Sequence, residues 1–251
     1  GTATLLRHRN VPETVGVPIL GGLVGFIVAN VRLAVVPSPD GQGTLARYVS
    51  RSVGPTPDLV GSYDVVMLAT SVVLGVAVFA VLRRSLERSL EAGIRNFLIG
   101  LGALVAFSSG GSQVGLATGP LETLFETQLQ APGYVLLLLG GTGILLGAWM
   151  GSPRLLQAVA REYSSLGIRR SIAALVPGFV IAQAAIALGI PISFNNIIIS
   201  AVIGSGLVEG TAGVSRRKIG FTLVAWLSTL LAAGATGFVL YRALAAIPGA
   251  A

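Results

Sequence analysis

The sequence predicts an all-α, polytopic membrane protein with inverted repeats and two discontinuous or re-entrant helices. Three observations predict it. Residues of the set AVILMFWYC fill 53% of the 251 positions and charged residues only 11%, against about 25% charged in a soluble domain. Seven apolar segments are long enough, or nearly so, to cross a hydrocarbon core. The basic residues gather in alternate connections between those segments. Mean hydropathy is +0.82, and there is no cysteine. A soluble enzyme, a disordered chain and a disulfide scaffold are excluded. No metal-ligand cluster, nucleophile–base arrangement or phosphate-loop lysine stands in the sequence, so no enzymatic activity and no cofactor is expected.

A helix rises about 1.5 Å per residue, so a core about 30 Å thick needs about 20 apolar residues. The apolar segments are residues 14–36, 65–82, 97–118, 134–150, 171–188, 192–207 and 219–246. Five read as plain spans. The third is interrupted by Ser108, Ser109, Gly110, Gly111, Ser112 and Gln113, and is expected to break there. The sixth is short, carries Asn195 and Asn196, and is joined to the fifth only through Gly189, Ile190 and Pro191. Gly140, Gly141 and Gly143 in the fourth read as close helix packing. No small-residue cleavage site follows the first segment, which argues against a signal peptide.

One set of connections holds Arg7 and Arg9; Arg83, Arg84, Arg88 and Arg95; Arg154, Arg161, Arg169 and Arg170; and Arg216, Arg217 and Lys218. The other holds Arg47 and Arg51 with Asp40, Asp58, Glu122 and Glu126. If every segment crosses, the first set falls on one side, which the positive-inside rule makes cytoplasmic. The N-terminus is then inside and the C-terminus outside. The net charge of +7 is therefore topology, and nucleic acid is not an expected partner. The chain reads as a multi-pass protein of the plasma membrane, surrounded by lipid.

Gly16-Val17-Pro18-Ile19 is echoed by Gly189-Ile190-Pro191-Ile192. Downstream, Ala80-Val81-Leu82-Arg83-Arg84-Ser85-Leu86 is echoed by Phe238-Val239-Leu240-Tyr241-Arg242-Ala243-Leu244. The charge argument has the first copy entering from inside and the second from outside, which is the inverted repeat of a secondary transporter. The organisation expected is a remnant of a first repeat over residues 1–82, a cytoplasmic linker over 83–96 and a second repeat over 97–251. The shortened first copy and the initial Gly1 point to a truncated or reduced chain, with a missing N-terminal half or a homo-oligomer completing it.

Irregular backbone at membrane depth is tolerated where it is buried in protein or lines a wet cavity. Residues 108–113 supply three hydroxyls, an amide and two glycines, and Ser193, Asn195 and Asn196 supply similar groups. Freed N–H groups at a half-helix start suit an anion. The candidate substrate-binding residues are Ser109, Gly110, Gly111, Ser112 and Gln113 with Ser193, Asn195 and Asn196. Gln183 reads as an interhelical hydrogen bond. Asp64 reads as interfacial and His8 as solvated. Arg32, near the outer end of its segment, either snorkels to the interface or contacts an anion.

At these clusters the chain resembles the inorganic phosphate transporters of the PiT type, also called anion permeases. Phe107-Ser108-Ser109-Gly110-Gly111-Ser112-Gln113-Val114-Gly115-Leu116-Ala117-Thr118-Gly119-Pro120-Leu121 lines up without a gap on their F-A-H-G-A-N-D-V-A-N-A-I-G-P-L signature. Gly189-Ile190-Pro191-Ile192-Ser193-Phe194-Asn195-Asn196 lines up on G-[IL]-P-V-S-T-T-H. Residues 201–207 resemble A-I-I-G-x-G-L, and Lys218, Ile219, Trp226, Thr229 and Leu230 resemble K-I-x-x-x-W-x-x-T-L. The likeness covers residues 95–244 well and the N-terminal third weakly. It implies secondary transport of inorganic phosphate or a similar oxyanion by alternating access, coupled to Na+ or H+. The chain departs from the signatures where the Asn-Asp pair becomes Ser112-Gln113, the later Asn becomes Leu116 and T-T-H becomes Phe194-Asn195-Asn196. Gln113 keeps an acceptor oxygen and loses the charge a cation site uses. The rival readings are a degenerate, non-transporting membrane subunit and a sodium-independent, sulfate-like anion permease.

Overall fold

The computed structural model describes residues 12–33, 36–38, 43–61, 63–123, 125, 132–157, 168–190, 192–207 and 216–245. His8, Arg7, Arg9, Asp40, Glu126, Arg161 and Pro191 lie outside the described residues, as does the side chain of Ser112. Among the described residues eight helices and two short hairpins follow one another: α1 (Glu13–Val28), β1 (Arg32–Leu33), β2 (Gly43–Thr44), α2 (Leu45–Val53), β3 (Asp58–Val60), β4 (Tyr63–Asp64), α3 (Val65–Arg88), α4 (Leu90–Thr123), α5 (Gly133–Gln157), α6 (Ile168–Ala187), α7 (Phe194–Leu207) and α8 (Arg216–Ala245). Each apolar segment of the sequence has become a helix. Among the described residues four stretches, Val65–Arg88, Leu90–Gly115, Gly133–Met150 and Ile219–Val239, are long and apolar enough to cross a membrane.

The core joins four helices. Val17 and Val24 of α1, Leu86 of α3, Ile94, Phe97 and Leu101 of α4, and Ile172, Val176 and Phe179 of α6 form one buried cluster. Small residues let α1 and α3 close on each other. A Cβ on Gly75 would stand 2.9 Å from the Gly22 carbonyl oxygen, and one on Gly25 would stand 2.8 Å from Val78. Backbones packed this closely gain dispersion contacts that lipid cannot match. The contacts of Gly21 with Leu82 and of Gly25 with Val78 run in opposite directions along the two helices, so α1 and α3 are antiparallel. Gly140 of α5 meets Thr118 and Val114 of α4 as expected, whereas Gly141 and Gly143 face open space. The apolar windows of α5 and α8 are each only 6% buried.

The first helix is shorter than its apolar segment. α1 has 16 residues, about 24 Å at the helical rise. Beyond it the Asn30 amide donates to the Phe26 carbonyl at 3.1 Å and to Ser71 Oγ at 2.9 Å. Arg32 then pairs with Thr44 in an antiparallel hairpin. No span signal marks α2, which is 9 residues long and amphipathic. It buries Ala46 and Ser50 and exposes Tyr48 and Arg51. Thr44 starts it by accepting the Arg47 N–H at 3.2 Å, and Gly54 ends it at φ +108°, a conformation that suits glycine. Ala29, Ala46 and Met67 form a second small core beneath this cap.

The break expected at residues 108–113 is absent. α4 runs unbroken for 34 residues through Ser108, Gly110, Gly111 and Gln113, with Pro120 near its end. An apolar solvent offers nothing to an unpaired N–H or C=O, so a helix that satisfies them internally wins over a modest cost from serine and glycine. The second break is present. The Ile190 N–H bonds the Ala185 carbonyl at 2.9 Å and the Gly189 N–H bonds the Ile186 carbonyl at 3.1 Å. With Gly189 at φ +69°, this is a Schellman stop. Helix α7 then begins afresh at Phe194.

Candidate functional site

Helices α4 and α6 carry the two halves of the candidate site. Phe97 and Leu101 of α4 share the core with Ile172, Val176 and Phe179 of α6. Further along both helices the Gln183 amide donates to Ser108 Oγ at 2.9 Å. Contacts that advance together on both helices make them a parallel pair. Gln183 is only 8% exposed, so this bond satisfies a polar group that would be costly alone. Another five residues, about 7.5 Å of helix, bring α4 to Gln113 and α6 to the turn at Leu188 and Gly189. The serine-rich stretch of α4 and the restart before α7 therefore lie at the same height along the bundle.

At the restart, Ser193 caps α7. Its backbone carbonyl accepts the Ile197 N–H at 3.1 Å, and its hydroxyl accepts the Asn196 N–H at 3.4 Å. The hydroxyl keeps its own hydrogen to give to a ligand. Phe194 is buried and anchors the helix start, while Ser193 and Asn195 are exposed and Asn196 is half-buried. On α4, Ser109, Gly110 and Gln113 are half-buried and Gly111 is exposed. A Cβ built on Gly110 or Gly111 would meet nothing within 4 Å. The fold thus brings the two clusters to one level. Among the described residues no hydrogen bond joins Ser109, Gly110, Gly111 or Gln113 to Ser193, Asn195 or Asn196.

A second polar region lies at the same height, marked in the sequence only by Arg32 and Gln183. A cavity of about 740 Å³ is lined by Asn30, Arg32, Thr44, Arg47, Tyr63 and Gln183 together with apolar residues. Ser71 Oγ lies 2.8 Å from the Met67 carbonyl, to which it gives its one hydrogen. It must then accept from Asn30 and from the Tyr63 hydroxyl at 2.9 Å. Nearby, Asp64 caps α3 by accepting the Met67 N–H at 2.8 Å and is bonded by the Ser50 hydroxyl. The Ser50 bond first, then the Met67 N–H, hold its carboxyl below the usual carboxylate range. Asp64 thus lies at the helix start, where it was expected. No group of three or more metal-ligating side chains occurs among the described residues.

Residues 11–237 match the family model described as "Phosphate transporter family". The chain belongs to the phosphate transporter family. Its relatives in that family include proteins named "Putative phosphate permease" from Pyrococcus furiosus, Chlamydia muridarum and Helicobacter pylori J99. They are 26%, 24% and 28% identical over 59%, 59% and 61% of this chain, and the matches cover 37%, 36% and 33% of the relatives. The chain thus spans about a third of the length of the curated relatives it matches. A solved structure titled "The sodium-dependent phosphate transporter" overlies 98% of this chain and 62% of its own length, at TM-score 0.67 and 21% identity. At that identity the likeness is one of fold. The family is one of transporters rather than enzymes, and with four apolar spans the chain is a multi-pass integral membrane protein.

Proposed function

We propose that this chain takes part in carrying inorganic phosphate, or a similar oxyanion, across the membrane by alternating access. What supports the reading most is membership of the phosphate transporter family over residues 11–237. The geometry adds that both signature-like clusters sit at one level of the bundle, one on α4 and one at the capped start of α7. Ser109, Gly110, Gly111, Ser112 and Gln113 would form one side of the anion site, and Ser193, Asn195 and Asn196 the other. Hydroxyls, amides and the α7 N-terminus would hold the anion without a trapping charge. Residues 1–82 and 97–251 would be inverted repeats joined by a cytoplasmic linker over 83–96, with lipid around them.

The test is uptake of radiolabelled phosphate by proteoliposomes, with and without a sodium gradient and with sulfate as competitor. Saturable uptake accelerated by sodium is the expected result. Uptake blocked by sulfate and indifferent to sodium would mark a sodium-independent anion permease. No uptake by well-folded protein would overturn the transport reading.

Gln113 favours a second reading, a membrane subunit that no longer transports alone. It stands where the resembled signature has an acid, so the α4 half lacks the charge that draws a cation. Replacing Gln113 with Asp is expected to strengthen sodium dependence of phosphate uptake or binding. No change on that substitution would remove residue 113 from cation coupling.

A further inference from the structure

We propose that the groove between α1, α3 and α4 holds an acyl chain of one anionic phospholipid, whose headgroup is bound at the arginine-rich end of the α3–α4 hairpin. The groove shares no lining residue with the serine clusters or with the cavity that Arg32 lines, so the proposal stands apart from the transport reading. Its first support is shape. The groove encloses about 540 Å³, a volume typical of a small-ligand site. Its walls are apolar, among them Val28, Leu74, Val78 and Leu104. From Leu74 to Ser85, α3 rises about 16 Å, close to the depth of one leaflet of a core about 30 Å thick. Helices α3 and α4 run antiparallel beside it, since Leu86 meets Gly93 near the hairpin while Leu82 and Phe97 both reach Gly21 farther in. Gly100 of α4 keeps the groove open, because a Cβ there would meet nothing within 4 Å.

Its second support is charge. The polar side chains of the lining are Ser85 and Asn96, and both stand at the hairpin end. They bring a hydroxyl and an amide to phosphate oxygens. Arg84 lies three residues beyond Val81, and Arg88 three beyond Ser85, so both continue the α3 wall of the groove. Both are exposed. Among the described residues the ion-paired arginine of this hairpin is Arg83, bonded to Glu87 at 3.0 Å. Arg83, Arg84, Arg88 and Arg95 outnumber Glu87 and Glu91, and guanidinium forks match phosphate oxygens. The positive-inside rule puts this end in the cytoplasm, beside the leaflet that carries anionic lipid. A second copy seated there by two-fold symmetry would set like charges against each other, and an apolar occupant would leave the arginines unanswered. An anionic headgroup with a chain one leaflet deep answers both the charge and the shape.

The test uses the full chain in detergent, with one phospholipid added back at a time and native mass and melting temperature read together. Phosphatidylglycerol is expected to bind once per protein chain and to raise the melting temperature, and phosphatidylcholine to do so far less. Arg84→Gln and Arg88→Gln should each weaken phosphatidylglycerol about fivefold, while Arg84→Lys and Arg88→Lys retain most of the affinity. Gly100→Leu should abolish binding, because its side chain enters the groove from a position with open space around it. If Gly100→Leu does not fold, the surface arginine variants decide the outcome alone. Wild-type affinity for phosphatidylglycerol in the folded double variant Arg84→Gln/Arg88→Gln would overturn the proposal. Equal binding of phosphatidylcholine and phosphatidylglycerol would also overturn it, since the groove would then be solvated like any other apolar face. A dimeric mass that Gly100→Leu dissociates would assign the groove to a second copy and overturn it as well.

Discussion

Ser193 caps α7 through its hydroxyl and keeps one hydrogen to give. Replacing Ser193 with Ala is expected to cost about 1.5–3 kcal/mol of anion affinity if the hydroxyl bonds a charged ligand. Ser193→Thr should restore most of it, and isothermal titration would read both. Equal affinity in all three proteins would remove Ser193 from the site. Gln183 is legible as an interhelical bond because an amide in mid-span has few other stable fates, and it donates to Ser108. That Arg32 and Arg47 line one cavity is not legible, because it depends on a two-residue hairpin that leaves no periodic trace. Ser193 is legible as polar after a proline motif, but its capping of α7 needs the helix start. Asp64 makes a pH prediction. Its folded pKa lies below the ordinary aspartate value, so its bonds to Ser50 and Met67 stabilise the fold above about pH 4 and are lost as pH falls through the lower folded value. The difference in melting temperature between wild type and Asp64→Asn should stay constant from about pH 7 to 5 and close below about pH 4. A difference unchanged at pH 3 would refute it.

At the scale of helices, apolar length carried nearly all the information. Every long apolar run became a helix, because only helical backbone satisfies itself in hydrocarbon. The same rule explains the failure at residues 108–113: serine and glycine lower helix propensity without removing a hydrogen-bond donor, so α4 stays whole. At Gly189 the positive φ and the bonds to Ala185 and Ile186 end α6, as the Gly-Ile-Pro sequence predicts. Helix α2 was missed because nine amphipathic residues fall below any span-length signal, although Thr44 and Gly54 mark its ends. Two glycine substitutions test what glycine does in this bundle. Gly75→Val would drive a Cβ to 2.9 Å from the Gly22 carbonyl, which backbone cannot yield to, and overpacking of this kind costs about 1–3 kcal/mol. Its melting temperature should fall clearly. Gly111→Ala has open space around it and improves helix propensity by about 1 kcal/mol, so it should fold at least as well. If the anion approaches α4 there, phosphate uptake should nevertheless drop. Normal uptake by Gly111→Ala would move the site away from that face, and an unchanged melting temperature for Gly75→Val would refute the close α1–α3 crossing.

For the whole molecule the open question is how the chain threads the bilayer after α6. Basic residues cluster at the α3–α4 hairpin, before α6 and before α8, and alternate crossing puts all of them on the cytoplasmic side. Helix α7 strains that scheme. Its 14 residues reach about 21 Å, short of a core about 30 Å thick. Yet Gly178 of α6 packs against Ile197 and Ile198 of α7, and the tight turn folds α7 back along α6 towards its basic end. A helix sheltered by a neighbour can finish its crossing in irregular chain buried in protein. The two threadings differ at α8. If α7 crosses, Arg242 near the end of α8 faces outside and Arg217 at its start faces inside. If α7 re-enters and returns, those two positions exchange sides. The chain contains no cysteine, so single-cysteine variants report without background. In intact cells, Val60→Cys and Arg242→Cys should react with a membrane-impermeant maleimide, while Ser89→Cys and Arg217→Cys should react only after permeabilisation. Labelling of Arg217→Cys but not Arg242→Cys from outside would establish the re-entrant threading. Labelling of Ser89→Cys from outside would invert the orientation of the whole bundle and put the arginine-lined cavity on the cytoplasmic side.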